Sequence, residues 1–148
     1  MSDPQFVEEN RIQLERMRAL VDRLGPDGLQ RQVNEHWTAA GVLGHIAFWD
    51  ARASFLAGML ERGEPFTDDH QDGEDVDWIN DSTRPFIEAI EPVAGAHLAL
   101  RIAEGTDRRV AALPPERMYP ADEESPLNAL RASHRGEHLD QIEAAFGG

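Results

Sequence analysis

His134 and His138 stand four residues apart in the stretch SHRGEHLDQIEAAFGG that closes the chain. On a helix rising about 1.5 Å per residue, side chains at that spacing sit one above the other on one face. Two imidazole nitrogens so placed can converge on a single metal ion. The same face predicts a core stripe of Leu127, Leu130, His134, His138, Gln141, Ile142 and Ala145, so the imidazoles occupy positions where leucines would pack better. Buried without an ion, the pair leaves up to four ring nitrogens in need of partners, a costly arrangement for a core. Two ligands do not make a site, and the plain reading has one histidine capping a polar pocket and the other reaching solvent. His45 is the candidate third ligand, because it sits mid-helix in the most apolar segment of the chain. Taken alone it reads as a satisfied core histidine. If its helix neighbours the last one, three neutral imidazoles can cap one divalent ion. Two or three positions then remain for water and substrate, the open geometry of a catalytic metal site.

Other residues gather around this trio. Trp49, four after His45, shares its face and either lines the pocket or packs in the core. Gln141, one turn beyond His138, either orients a ligand or sits at a surface edge. Asn80 is placed to cap the helix after the acidic loop rather than to cover the metal. Arg52, Arg131 and Arg135 offer a basic patch for an anionic thiol or acid, against the plainer reading of solvated helix exteriors. His36, His70 and His97 stay outside the site: a helix entrance, an acidic loop, and a helix position with no histidine partner. H134-R-G-E137-H138 also spells the H-x-x-E-H pattern of inverted zinc proteases, with Glu137 as general base. Those enzymes need a large surrounding domain and a ligand further downstream, and only 10 residues follow His138. Glu137 also lies about 100° round the helix from His138, off the metal face.

The elements that must position these groups read as helices. The first begins near Asp3-Pro4 and carries Val7, Leu14, Met17, Leu20, Val21 and Leu24 at helical intervals, with Gly25-Pro26 as its end. The second starts at the N-cap Thr38, with Trp37 and Val42 placed as a hydrophobic staple, and runs to about Arg62 with Gly63 as the stop. Its apolar arc is wide, which predicts the most buried helix. Residues 63–80 form an acidic connection with little periodicity. A helical stretch follows in which Pro92 either kinks one helix or separates a short one from a long one, about Val93 to Leu113. Pro114-Pro115 closes it, ERMYPADEE reads as loop, and the last helix is expected from Ser125-Pro126 to Gly147. Nothing reads as a strand. Four long helices on short or medium loops predict an all-α four-helix bundle, a single domain over 1–148.

Composition narrows the chemistry. The 148 residues include no cysteine, which removes disulfides, thiolate ligands and a cysteine nucleophile together. Any thiol must arrive with a ligand. All 14 basic residues are arginine, so a Schiff-base lysine is excluded. The formal net charge of −14 repels phosphate backbones and argues against a nucleic-acid partner. MSDPQFVEENR lacks the basic-then-apolar order of a signal peptide. The longest apolar run, Ala39 to Trp49, is too short to span a bilayer. The expectation is a soluble cytoplasmic protein with no membrane partner.

Two stretches carry a resemblance. W37-T38-A-A-G-V-L-G-H45-I-A-F-W49-D50 resembles the second helix of the DinB-like metalloenzyme superfamily, and H134-R-G-E137-H138-L-D-Q141-I142 resembles its last helix. That superfamily includes bacillithiol-dependent transferases and the metal-binding domain of mycothiol-dependent maleylpyruvate isomerase. The resemblance implies an antiparallel four-helix bundle, a divalent ion (zinc, nickel, iron or manganese) on His45, His134 and His138, and a tendency to form homodimers. It does not extend to the 63–80 connection or the region around Pro92. The expected function is a metal-dependent enzyme in which a low-molecular-weight thiol of bacillithiol or mycothiol type attacks a small electrophile, by S-transfer or by transient addition and isomerisation. A metal-activated water performing hydrolysis uses the same site. The rival class is a non-catalytic, stress-related bundle that keeps a metal for stability, which four protein ligands would favour.

Overall fold

The computed structural model describes residues 4–66, 76–114, 116 and 127–147. Five helices account for most of them: α1 Gln5–Leu29, α2 Ala39–Glu61, α3 Asp77–Glu88, α4 Pro92–Ala112 and α5 Ala132–Ala145. Among the described residues there is no strand, only an isolated bridge between Gln32 and Thr38. No described helix is long and apolar enough to cross a membrane.

Local chemistry sets most boundaries. Thr38 caps α2, its side chain accepting from Gly41 N at 3.0 Å, and Gly63 ends it with φ +73°. Glu91 caps α4 with both carboxylate oxygens, on Val93 N at 3.1 Å and Ala94 N at 2.8 Å. Pro92 is therefore the first residue of a new helix, where its missing N–H costs nothing, and it separates α3 from α4.

Three expected boundaries are corrected: the acidic connection expected to run through residue 80 gives way to α3 at Asp77, and two helix ends differ. Gly25-Pro26 does not end α1. Gly25 leaves helical geometry (φ +61°), but Pro26 opens one more turn that buries Leu29, so the pair makes a kink. The last helix starts at Ala132, not at Ser125-Pro126, a pair outside the described residues. Leu127 and Ala129 are buried ahead of the helix, in non-helical chain. Asn10 of α1, itself 1% exposed, holds this segment. Its Nδ2 donates to Ala129 O at 2.8 Å and its Oδ1 accepts from Ala132 N at 2.8 Å, which caps α5 from another helix.

α2 is buried on several faces and packs chiefly on α4, with α1, α3 and α5 also against it. On α4, Ala96, Ala99, Ala103, Thr106 and Val110 recur at three and four residues, a narrow stripe that lets α2 approach closely. α3 has no buried residue and lies against α2, where Gly44 leaves room for Ile87. Two apolar clusters result. One joins Leu14, Met17 and Leu20 of α1, Leu43 and Ile46 of α2, Ala99 and Ala103 of α4, and Leu139 and Ile142 of α5. The other joins Leu56, Met59 and Leu60 of α2 to Val110, Leu113 and Leu127. Between them, at the level of Asp50 on α2 and Thr106-Asp107 on α4, the core is polar.

Candidate metal centre

The polar layer is built by an unexpected residue, Arg135, which is fully buried and the largest such side chain among the described residues. Its Nε donates to Asp50 Oδ2 at 3.0 Å, and its two terminal nitrogens grip Asp107 at 2.9 and 2.7 Å. Arg131 donates from Nε to Asp50 Oδ1 at 2.9 Å and from Nη1 to Asn128 O at 3.2 Å. Asp50 is itself fully buried, and its backbone oxygen accepts from Thr106 Oγ1 at 3.0 Å. Two arginines on two aspartates balance in charge, which is what allows four ions to leave water. Burial still pushes the Asp107 carboxyl up, against the opposing hydrogen bond from Arg135. Arg135 is therefore not part of an anion-binding patch, and the solvated reading fails for it too. The buried stripe of α5 is Arg135, Leu139 and Ile142, continuing from Arg131, and His134 and His138 flank it rather than fill it. Leu130, Gln141 and Ala145, expected on the core face, are not buried.

This ionic layer registers two helices. Asp50 lies five residues after His45 on α2, and Arg131 and Arg135 bracket His134 on α5. Clamping Asp50 between the two arginines brings His45 against the α5 pair. Ring centroids are 5.2 Å apart for His45–His134, 4.7 Å for His45–His138 and 4.6 Å for His134–His138. One ligand atom from each of the three lies within 4.8 Å of the others, close enough to hold one ion. Among the described residues no fourth side-chain ligand joins the group.

The donors fit a divalent ion. His134 Nε2 and His138 Nε2 are 3.1 Å apart. Two nitrogens about 2.0–2.1 Å from one ion, at tetrahedral to right angles, are separated by about 2.8–3.4 Å. Gln141 Oε1 stands 3.0 Å from His138 Nδ1, so the ring proton belongs on Nδ1 and the Nε2 lone pair is left for the focus. His45 Nδ1 and His134 Nδ1 are buried and have no hydrogen-bond partner. Since His134 faces the focus with Nε2, an ion there would leave its Nδ1 unpartnered, so the fit rests on the Nε2 spacing and on the neutral state of the rings. Burial, and next the neighbouring His138, lowers His45 to about 4. The same two causes, with smaller effects from His45, Arg131 and Arg135, lower His134 to about 3. Both rings are therefore neutral at neutral pH, the state in which imidazole ligates.

Beside the histidines opens a cavity of about 300 Å³ lined by His45, His134, Trp49, Asn80, Asn128 and Arg131, with Arg52 also on its wall. Trp49 donates from Nε1 to Asn80 Oδ1 at 2.9 Å, and the Arg52 guanidinium lies 5.8 Å from the Trp49 ring. Asn80 sits inside α3 and does not cap it, since Val76 holds the N-cap position. A larger apolar groove, about 570 Å³, runs along a different face of α2, and none of the three histidines lines it. The smaller cavity is the one that two of the three histidines line. Gln141 lies outside the cavity lining and touches the site through His138. Of the histidines left out, His36 is exposed and bonded to Arg84, His97 is exposed, and His70 lies outside the described residues. Asp50, Asp107, Asn10 and Asn128 were not foreseen from the sequence. The one available signal was the 131–135–139–142 spacing, which marks the core phase of α5 better than the histidines do. Comparison with family models, curated proteins and solved structures finds no match to this chain.

Proposed function

We propose that this chain is a divalent-metal-dependent enzyme of the DinB-like kind that presents a low-molecular-weight thiol to a small electrophile. The observation that carries this reading is the meeting of His45, His134 and His138 at the wall of a ligand-sized cavity, with no fourth protein ligand among the described residues. The antiparallel four-helix arrangement belongs to the same proposal. Its support is that α1, α2, α4 and α5 share one core while α3 rests on the outside of α2.

Bound by the three imidazoles, zinc, nickel, iron or manganese would supply Lewis acidity that lowers the pKa of a thiol reaching it. The protein's own contributions are distinct. Burial keeps His45 and His134 unprotonated, and Gln141 fixes the tautomer of His138. The Asp50–Arg131–Arg135 clamp holds α2 and α5 at the spacing the three rings need. Trp49, anchored by Asn80, forms an apolar wall against which a substrate lies. A chain without cysteine supplies no thiol, so the thiol must come as a cosubstrate.

Protein purified without a metal-affinity tag should contain about one divalent ion per chain by elemental mass spectrometry, and His138→Ala should lose it. The loaded protein should accelerate conjugation of at least one cellular thiol to a chromogenic aryl halide, and chelation should abolish this. Metal content indifferent to His138→Ala overturns the site. Thiol conjugation that survives complete metal removal overturns the chemistry.

A further inference from the structure

The polar lining of the cavity beside the histidines is biased toward donors. Asn80 Oδ1 is committed to the Trp49 indole N–H, a group that can only donate. Asn128 Oδ1 is likewise committed to Leu130 N at 3.0 Å. These bonds fix both amides, and each turns an NH₂ group toward other partners. Neither NH₂ has a partner among the described residues, and both residues line the cavity. Arg131 spends Nε on Asp50 and Nη1 on Asn128 O, while its Nη2 bonds nothing among the described residues. Its side chain is 9% exposed, and it too lines the cavity. Arg52 adds a second cation to the wall. In a chain carrying 28 acidic residues against 14 basic ones, none of the described residues of this lining bears a carboxylate.

We propose that this cavity takes a small molecule bearing a carboxylate, received by the amide N–H groups of Asn80 and Asn128 and by the remaining guanidinium nitrogen of Arg131, with its apolar part against Trp49. Charge-assisted hydrogen bonds from fixed donors in a partly desolvated site favour an anion over its neutral isostere. The proposal names the substrate class of the site described above and rests on that reading for its chemistry. The donors themselves act with or without the ion.

Benzoate and benzamide, one charged and one neutral with the same shape, serve as probes. Each is titrated by NMR into the full chain, metal-free and zinc-loaded, with the Trp49 indole N–H as reporter. Benzoate should bind about tenfold tighter than benzamide in both forms, as one charge-assisted bond warrants. Asn80→Asp and Asn128→Asp each keep the oxygen that accepts from Trp49 or Leu130, and replace the NH₂ donor by a second carboxylate oxygen. Each should weaken benzoate about tenfold and affect benzamide far less. Equal binding of the two probes overturns the proposal. So does benzoate binding that requires zinc and ignores both variants, since the carboxylate then sits on the ion alone. Zinc affinity, measured separately by chelator competition, reports on the metal reading. Its failure would leave the metal-free comparison intact.

Discussion

Replacing Asp50 by asparagine removes one charge and almost no volume. Asp50 and Arg135 are fully buried, so the Arg135 guanidinium cannot recover by turning to water, and the Arg131 side chain, 9% exposed, can do so only toward the cavity. The asparagine side chain would offer one oxygen where two arginines each donate from Nε, and its NH₂ group would face a cation. Because shape is kept, no cavity cost enters, and the loss is that of an uncompensated buried charge, about 3–5 kcal/mol. For a chain of this length that lowers the melting temperature by about 6–20 °C, taking about 2–4 °C per kcal/mol. Urea unfolding of the metal-free protein, followed by circular dichroism, should show an earlier midpoint at unchanged slope. The clamp also sets the distance between His45 and the α5 pair, so zinc affinity should fall about 10–100-fold, as when a ligand's support is removed. A stability loss below about 1 kcal/mol, the scale of an exposed pair, would refute the argument that these ions are desolvated and mutually required.

Other substitutions probe separate parts of the account. Gln141→Leu removes the acceptor for His138 Nδ1–H from an exposed position, and should weaken zinc binding about 10–100-fold without moving the unfolding midpoint. Unchanged affinity would mean that Gln141 does not orient the ring. Gly44→Ala places a Cβ 2.6 Å from Ile87 Cγ2, so the Ile87 side chain or α3 as a whole must shift. The expected cost is about 1–3 kcal/mol, together with a changed NMR signal for the Trp49 indole, which α3 anchors through Asn80. An unmoved indole signal together with unchanged stability would show that α3 is not seated there. Leu139→Ala deletes a fully buried side chain of α5 and should cost about 2–5 kcal/mol in denaturant unfolding. A loss below about 1 kcal/mol would contradict the core phase assigned to α5.

The parts of this molecule legible in the sequence are those fixed locally. Thr38 caps α2 through its own third residue, and the Glu91-Pro92 pair starts α4 by the same short-range chemistry. The histidine trio was visible because His134 and His138 share a helix face and His45 interrupts an apolar run. What escaped depends on partners far along the chain. α5 begins where it does because Asn10 reaches across 122 residues to cap it. Arg135 reads as a surface residue until Asp50 and Asp107, on two other helices, are seen to neutralise it. Gly25-Pro26 has the composition of a helix end, and only the burial of Leu29 makes another turn worth forming. The histidines read as core because they occupy a nearly apolar phase, while the true core stripe contains two arginines.

The most direct test is an X-ray absorption spectrum of the zinc-loaded chain. The account predicts one zinc per chain with three imidazole nitrogens at about 2.0–2.1 Å, the rest of its shell being water or added ligand. One imidazole should disappear from the spectrum in His45→Ala. A site with fewer than two imidazoles, one closed by four protein ligands, or one that His45→Ala leaves unchanged would contradict it.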